Sequence, residues 1–412
     1  MMAPIAPPAL LLTMLGGASL LLAAHPFTTY PLSLRLLNRR LARPIKASVP
    51  IPKRVALCVC AYNEERVIEA KIENMLSMCK ALPGLELLVY VDAATDRTVD
   101  LLSAYGEQVR LVVASARQGK THGMNILVGM TKADVVVFSD ANVLFAPDAI
   151  PRLLAPFADP EVGVVCGHLR YEDPDGEATA QTGSLYWRLE EHIKALESQS
   201  GSVMGADGSI FAIRRALHEP PPPDLIDDMY VSLSILCAGS RIVRVDDAHA
   251  RETSVSRPEE EFRRKIRIGC QAFNVHRALW PRLRALPAFD LYKYVSHKLL
   301  RWFAIYLLAA AGLYLLAAAA LAGGPGLAFE LLGVGAASAA ACTVIRRGKL
   351  AALRDVGAAF LATGIGVWRS VRGERFQTWS PPASSRASYL SAGTQSMNTA
   401  TLAAGSFKDI GS

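Results

Sequence analysis

Short apolar runs alternate with helix-like stretches between residues 54 and 140, and this alternation restricts the fold more than any other feature of the chain. The runs "RVALCVC", "LELLVYVD", "VRLVVAS" and "ADVVVFSD" have the length and the β-rich content of buried strands. The stretch from Glu65 to Met78, between the first two runs, carries apolar residues near helical spacing. Apolar strands that alternate with helices form a parallel sheet covered on both faces. The sequence therefore predicts an α/β fold with a mostly parallel sheet.

Polar side chains collect at the carboxyl ends of these predicted strands. Tyr62, Asn63 and Glu64 follow the first strand, Asp92 ends the second, and Asp140 ends the fourth. In open α/β sheets, ligands bind at this edge. Two nearby carboxylates repel each other unless a cation or a hydrogen-bond donor lies between them. We therefore expect Asp92 and Asp140 to line one crevice, although each would also serve as an ordinary turn residue.

Two motifs suit a nucleoside diphosphate with a divalent metal. In "RQGKTHGMN", Lys120 begins a predicted helix, where a phosphate group is bound readily. In "FSDAN", Asp140 and Asn142 place a carboxylate and a carboxamide two residues apart at a strand end. Oxygen ligands of this kind suit Mg²⁺ or a similar hard cation. A solvated helix start and a simple turn are the alternative interpretations.

Three later clusters each have a functional and a structural interpretation. In "GSVMGADGSIFAIRR", Asp207 lies among glycines. These glycines would either let an acceptor approach the backbone beside Asp207 or form an ordinary glycine-rich loop. Asp227 and Asp228 begin a helix, where they would either cap it or supply a general base for an acceptor hydroxyl. In "EEEFRRKIRIG", Arg264 and Arg267 would either face a membrane surface or clamp a pyrophosphate.

Apolar runs at both ends of the chain predict membrane segments. Residues 8–24 carry no charge and no Lys or Arg precedes Arg35, which indicates a retained anchor rather than a cleaved signal, with the following domain in the cytoplasm. Residues 302–322 and 326–345 are each about long enough to cross a bilayer, and the "GGPG" between them predicts a hairpin. For residues 350–368 we favour an interfacial or re-entrant helix over a third span. The net charge of +7 is concentrated beside the apolar runs, which indicates an anionic membrane surface rather than nucleic acid.

The predicted organisation has six parts. They are an N-terminal transmembrane anchor (1–30), a basic cytoplasmic linker (31–53), a catalytic domain (54–255), interfacial basic helices that close the active site (256–301), a C-terminal membrane region of two spans plus an interfacial or third helix (302–372), and a disordered tail (373–412). The seven cysteines form no CxxC pair, so we expect a reducing compartment with neither disulfides nor structural zinc. The predicted location is the cytoplasmic (inner) membrane, with several passes.

The order of the motifs resembles that of membrane-bound family-2 glycosyltransferases. These enzymes have the GT-A fold and are related to bacterial exopolysaccharide, hyaluronan, chitin and cellulose synthases. The resemblance covers roughly Val55 to Trp302 and is carried by "AYNEE", "VDAATDRT", "GKTHGMN", "FSDAN", "GADGSIFAIRR", "LIDDMYVSLSILCAGSRIV" and "FRRKIRIG". It implies a Rossmann-like GT-A domain, a nucleotide-sugar donor that is most commonly a UDP-sugar, and Mg²⁺ or Mn²⁺ as cofactor.

The resemblance also implies roles on the donor side. The nucleotide pocket would contain Tyr62 and Glu64 near the base, Asp92 at the base or ribose, and Lys120 near the nucleotide. Asp140 matches the first Asp of the family's DxD metal motif, and Asn142 replaces the second. Because a neutral carbonyl replaces a charge, we expect the nucleotide phosphates to contribute more of the metal coordination.

On the acceptor side, the resemblance makes Asp228 the catalytic base, with Asp227 beside it. Arg264 and Arg267 align with the Gln and Arg of the family's QxxRW element, while Ile268 replaces its Trp. The missing Trp and the small number of predicted spans favour single sugar addition over processive synthesis.

The expected activity is inverting transfer of a sugar to a lipid-linked or growing polysaccharide acceptor, in exopolysaccharide or related glycan synthesis. The expected partners are the donor, the acceptor, membrane lipids and other polysaccharide-assembly proteins. A catalytically inactive nucleotide-sugar-binding scaffold and a nucleotidyltransferase are the competing hypotheses.

Overall fold

A computed structural model of the chain describes residues 7–172, 185–253, 258–344 and 349–379. The chain divides into two compact units. The helical unit comprises Met1–Ala42, Ser184–Ser200 and Phe262–Glu374, and the sheet unit comprises Arg43–Gly183, Gly201–Glu261 and Arg375–Ser412. Residues 380–412, which make up most of the predicted tail, lie outside the described residues.

The described part of the chain contains eight strands and thirteen α-helices. The strands are β1 (Val55–Ala61), β2 (Glu86–Val91), β3 (Arg110–Val113), β4 (Val135–Asp140), β5 (Val143–Phe145), β6 (Val162–Glu172), β7 (Ile210–Arg214) and β8 (Arg241–Thr253). The helices are α1 (Pro7–Ala24), α2 (Thr29–Leu41), α3 (Ile68–Ala81), α4 (Thr98–Ser103), α5 (Lys120–Met130), α6 (Ala149–Leu154), α7 (Leu185–Gln199), α8 (Asp227–Cys237), α9 (Pro258–Leu283), α10 (Ala288–Tyr294), α11 (Leu300–Trp302), α12 (Ala304–Val344) and α13 (Lys349–Val371).

The strands form one sheet in the order β3-β2-β1-β4-β7-β6-β8-β5. The pairs β1–β2, β2–β3 and β1–β4 are parallel, whereas β7 runs antiparallel to both β4 and β6. The four strands predicted from the apolar runs are present, and the α/β prediction is confirmed. The antiparallel β7 makes the sheet mixed.

The register of the central strands brings their carboxyl ends level with one another. Cys60 lies opposite Asp140 across β1 and β4, and Ala61 lies opposite Val91 across β1 and β2. Every residue of β1 is buried, because the strand has a neighbour on each side and is covered on both faces. Residues that follow β1, β2 and β4 therefore meet at one edge of the sheet.

Helix α3 packs on this sheet through its apolar face. Ile68, Ile72 and Met75 are completely buried in the same core as the strands. Each such side chain contributes about 1.5–3 kcal/mol relative to an exposed one. The helix begins three residues later than the helix-like stretch predicted from Glu65, because residues 62–65 form a loop at the sheet edge.

In the helical unit, two of the described helices are long and apolar enough to cross a membrane: Pro7–Phe27 and Ala304–Ser338. The second is interrupted at Gly324, whose φ of +82° and ψ of 169° are not helical, immediately before Pro325. This break coincides with the predicted "GGPG" turn. Residues 345–348 lie outside the described residues. The membrane placement of α13 stays a prediction.

A buried ionic network joins three segments of the helical unit. Glu197 accepts hydrogen bonds from the Tyr30 hydroxyl at 2.5 Å and from His297 Nδ1 at 2.7 Å. Glu190 accepts one from His297 Nε2 at 3.0 Å and pairs with Arg301. Because a buried carboxylate is tolerated only with such partners, this network accounts for the burial of Glu190 and Glu197.

Candidate active site

Two loops at the carboxyl edge of the sheet are bound to each other. Asn63 has a φ of +52°, in the left-handed region, and its side-chain oxygen accepts a hydrogen bond from Thr95 N at 2.8 Å. The backbone N of Glu64 donates to Thr98 Oγ1 at 2.9 Å. The Glu64 side chain itself is almost completely buried. The motifs "AYNEE" and "DAATDRT" thus form one structure, and the proposed base contact of Glu64 stays a prediction.

Asp92 organises the loop that leads into α5. It is 0% exposed. Its carboxylate accepts hydrogen bonds from the backbone N of Gln118 at 2.7 Å and of Gly119 at 3.1 Å, and from Arg117 Nε at 3.1 Å. Gly119 has a φ of +93°, which a residue with a Cβ rarely adopts. These contacts give Asp92 a role in shaping the pocket, and its predicted contact with a base or ribose remains untested.

An aromatic and cationic cluster lies beside this loop. The guanidinium carbon of Arg117 is 3.3 Å from the ring centroid of Tyr62 and 5.8 Å from that of Trp379. The two rings are 6.2 Å apart at an angle of 68°. Arg117 also donates to the Trp379 carbonyl. Flat aromatic and guanidinium groups of this kind offer stacking surfaces for a nucleobase, which fits the predicted place of Tyr62.

Residues 375–379 belong to the sheet unit, although they fall within the segment predicted as a disordered tail. Arg375 pairs with Asp224 at 3.2 Å, and Gln377 Nε2 donates to the carbonyl of Gln118 at 3.1 Å. A Cβ at Gly119 would lie only 2.0 Å from the Gln377 carbonyl oxygen. Neither this segment nor Arg117 could be predicted as part of the site, because no local pattern links residues that are about 260 positions apart.

Lys120, at the start of α5, joins two carboxylates from different elements. Its Nζ lies 2.7 Å from Asp140 Oδ1 at the end of β4 and 3.4 Å from Asp227 Oδ2 at the start of α8. Burial alone would lower the pKa of Lys120, but the charges of Asp140 and Asp227 outweigh this effect and raise the pKa above its usual range. Three predicted site residues from three segments therefore meet as one charged cluster.

Asp228 has the environment of a proton acceptor. It is half-buried, and the loss of hydration, together with the charge of Asp227, raises its pKa to about 7. Asp207 raises this pKa further, whereas Lys120 lowers it. The backbone N of Met229 donates to Asp228 Oδ1 at 2.6 Å and fixes the carboxylate at the helix start. A general base works best when its pKa lies near the working pH.

Gly208 leaves the space that the Asp228 carboxylate occupies. A Cβ at Gly208 would lie 2.7 Å from Asp228 Oδ2, so Gly208→Ala should displace the carboxylate. We expect turnover to fall by about 10²-fold, because a misplacement of about 1 Å costs that much in a catalytic group. The matched control is Gly129→Ala, since a Cβ at Gly129 meets no atom within 4 Å. Equal turnover numbers for the two variants would contradict this placement.

The donor set around Asp140 fits a divalent cation that also binds phosphate. The Asp140 side chain is 33% exposed, whereas Asn142 is buried and donates from its amide to Glu252 Oε1 at 2.8 Å. Within the described ranges, no group of three or more His, Cys, Asp or Glu residues could by itself hold a metal. One carboxylate is the kind of protein ligand that Mg²⁺ uses when phosphates and water supply the rest. The role of Asn142 as a second ligand stays a prediction.

Arg264 and Arg267 lie on α9, in the part of that helix that belongs to the helical unit. The Arg267 guanidinium donates to Gln271 Oε1 at 3.4 Å, one turn along the helix. Their predicted contact with phosphate remains a prediction.

The fold is an α/β sheet that carries a cluster of one Lys and two Asp side chains at the carboxyl edge of its strands. Residues 52–271, more than half of the chain, match the family described as "Glycosyltransferase like family 2", and the chain belongs to this family. It is therefore a family-2 glycosyltransferase with a GT-A-like fold. The predicted family and enzyme class are confirmed.

Several known proteins are similar to this chain. An N-acetylglucosaminyltransferase of Rhizobium meliloti (strain 1021) is 26% identical over 308 residues, which cover 68% of this chain and 70% of that protein. An undecaprenyl-phosphate 4-deoxy-4-formamido-L-arabinose transferase of Serratia proteamaculans (strain 568) is 29% identical over 107 residues, 25% of this chain and 33% of that protein. The mannosyltransferase PcManGT from Pyrobaculum calidifontis, solved with GDP-Man and Mn²⁺, has a TM-score of 0.68 at 24% identity and covers 88% of this chain and 99% of its own. The last likeness shows the fold.

Proposed function

We propose that the protein transfers a sugar, with inversion, from a nucleotide-sugar donor to a hydroxyl of a lipid-linked or growing polysaccharide acceptor. The observation that carries this proposal is the cluster in which Lys120 joins Asp140 to Asp227, with Asp228 next to Asp227. Lys120 is suited to a diphosphate, and Asp140 is suited to the divalent cation that accompanies it. Both belong to the same cluster as the carboxylate of Asp228, which is suited to an acceptor hydroxyl.

On the acceptor side, Asp228 accepts the proton of the attacking hydroxyl. Asp227 is a poorer candidate because it is 4% exposed and its carboxylate pairs with Lys120. With a pKa near 7, Asp228 is charged in part of the molecules at neutral pH and can take up a proton there. Asp228 is more exposed than Asp227, so an acceptor oxygen reaches it more easily.

On the donor side, Asp140 and the carbonyl of Asn142 would hold Mg²⁺ or Mn²⁺ together with the diphosphate. The bound cation would stabilise the negative charge of the leaving nucleoside diphosphate. Lys120 adds a positive charge at a helix N-terminus, where phosphate binding is favoured. Tyr62 and Arg117 would stack against the base. A UDP-sugar is the donor we expect.

The membrane helices support an acceptor that is presented at a membrane. One relative is named for transfer to undecaprenyl phosphate, a lipid carrier. We place the catalytic domain in the cytoplasm, at the inner membrane, with α1 and the two halves of α12 as spans. Single addition is expected rather than processive synthesis.

The decisive experiment uses full-length protein purified in detergent. It is incubated with a panel of UDP- and GDP-sugars, with Mn²⁺ or with EDTA, and released nucleoside diphosphate is measured. We expect release that depends on Mn²⁺ and on one donor, and that increases with a lipid-linked glycan that offers a free sugar hydroxyl. Release of pyrophosphate would instead indicate a nucleotidyltransferase, and donor binding without release would indicate an inactive scaffold.

A further inference from the structure

A buried lysine lies against the segment that carries Asp140. Lys71, on α3, is 0% exposed. Its Nζ donates to Ser139 Oγ and to the carbonyl of Val143, each at 2.6 Å, and lies 4.7 Å from the centroid of the Phe145 ring. Burying an ammonium group costs free energy that an apolar side chain of the same size would not cost. Packing alone would therefore not require a lysine here, and its hydrogen bonds need a further explanation.

The two acceptors of Lys71 bracket the predicted metal motif. Ser139 immediately precedes Asp140, and Val143 immediately follows Asn142. Lys71 thus joins the two ends of the turn formed by residues 140–142. The bonds of Lys71 are not needed to hold β4 and β5 in the sheet, because β4 pairs with β1 and β5 pairs with β8.

The amino group of Lys71 also interacts electrostatically with Asp140. Burial lowers the pKa of Lys71 to about 7, and the charge of Asp140 opposes this change. The ammonium and the Asp140 carboxylate therefore interact electrostatically. Lys71 contacts the turn through Ser139 and Val143, and this geometry separates its role from that of Lys120, which bonds to Asp140 itself.

We propose that Lys71 is a positioning residue that holds the turn of residues 140–142 in the arrangement a divalent cation requires. This inference rests on the proposed function, in which Asp140 binds the cation that accompanies the donor diphosphate. Residues that orient metal ligands in this way typically account for about 10–100-fold in metal affinity. A fixed turn would also compensate for the weaker neutral oxygen of Asn142.

The test measures Mn²⁺ affinity directly, from the electron paramagnetic resonance signal of free Mn²⁺, with full-length protein and saturating UDP or GDP. Lys71→Met keeps the length of the side chain and removes both hydrogen bonds. We expect it to weaken Mn²⁺ binding by about 10–100-fold. The affinity for the same nucleotide without metal should not change.

The matched control is Asn74→Leu, on the same helix. Asn74 bonds to the backbone of Phe145 through its Nδ2 at 2.9 Å and its Oδ1 at 2.8 Å, outside the turn. This variant also removes two hydrogen bonds from α3, but should keep the wild-type Mn²⁺ affinity. If both variants lose Mn²⁺ affinity equally, the effect is general loosening of α3 and the proposal is wrong.

The remaining outcomes are also decisive. Unchanged Mn²⁺ affinity in Lys71→Met, beside a wild-type protein that binds Mn²⁺, would overturn the role of Lys71 and leave the proposed function intact. A wild-type protein that binds no Mn²⁺ with either nucleotide would overturn both. If Lys71→Met does not fold, Ser139→Ala removes one of the two bonds, and unchanged affinity in that variant would refute the proposal.

Discussion

Asp228→Asn is expected to lower the turnover number by about 10²–10⁴-fold, the range for loss of a general base. The amide keeps the size of the side chain but cannot accept the acceptor proton. In the wild-type protein, activity should rise with pH as Asp228 loses its proton, with a midpoint near its pKa of about 7. The pH profile of diphosphate release measures this rise, which forms the acid limb of the profile. The acid limb should be absent from the residual activity of the variant.

The same substitution should change stability in a defined direction. The folded-state pKa of Asp228 is raised, so folding favours the protonated form, and the carboxyl destabilises the native state as pH rises from about 4 to about 7. Asp228→Asn should therefore gain thermal stability over wild type at pH 8 and little at pH 4. Asp100→Asn, an exposed position on α4, is the control. Near-normal turnover in Asp228→Asn would remove Asp228 as the base.

Lys120→Met is expected to have the second large effect, because it removes the cation between Asp140 and Asp227. The Lys120 side chain is 22% exposed and that of Asp140 is 33% exposed, so the loss of stability should stay below the about 3–5 kcal/mol that breaking a fully buried ion pair costs. Lys120 also lowers the pKa of Asp228, so its loss should move the acid limb of the pH profile to higher pH. The fall in turnover should therefore be larger at pH 7 than at pH 9.

The control for this variant is Lys132→Met, which makes the same change at an exposed residue just after α5. Its pH profile and melting temperature should match those of the wild type. An unshifted acid limb in Lys120→Met would mean that Lys120 and Asp228 do not share one site.

The sequence determined the central strands and the location of the polar side chains that follow them. The runs at Val55, Glu86 and Val135 are apolar on both faces, and only strands buried in the middle of a sheet satisfy that pattern. Parallel strands then bring their carboxyl ends to one edge. For this reason the placement of Asp92 and Asp140 at one edge of the sheet could be predicted before any coordinates.

Contacts that depend on distant pairing could not be predicted in the same way. A lysine within a helix normally extends into water, and only the packing of α3 on β4 and β5 shows that Lys71 is enclosed. The approach of Trp379 to Tyr62 joins segments more than 300 residues apart, with no local signal in either.

The sequence by itself thus determined the strand–helix alternation, the family and the residue types at the sheet edge, because hydrophobic periodicity and motif order are local properties. The tertiary structure alone decided which carboxylate is paired and which is poised to accept a proton. Asp227 and Asp228 are adjacent and chemically identical, yet Asp227 pairs with Lys120, while lost hydration and the charge of Asp227 raise the pKa of Asp228. Those differences depend on neighbours brought together from β4, α5 and α8, which no stretch of sequence contains.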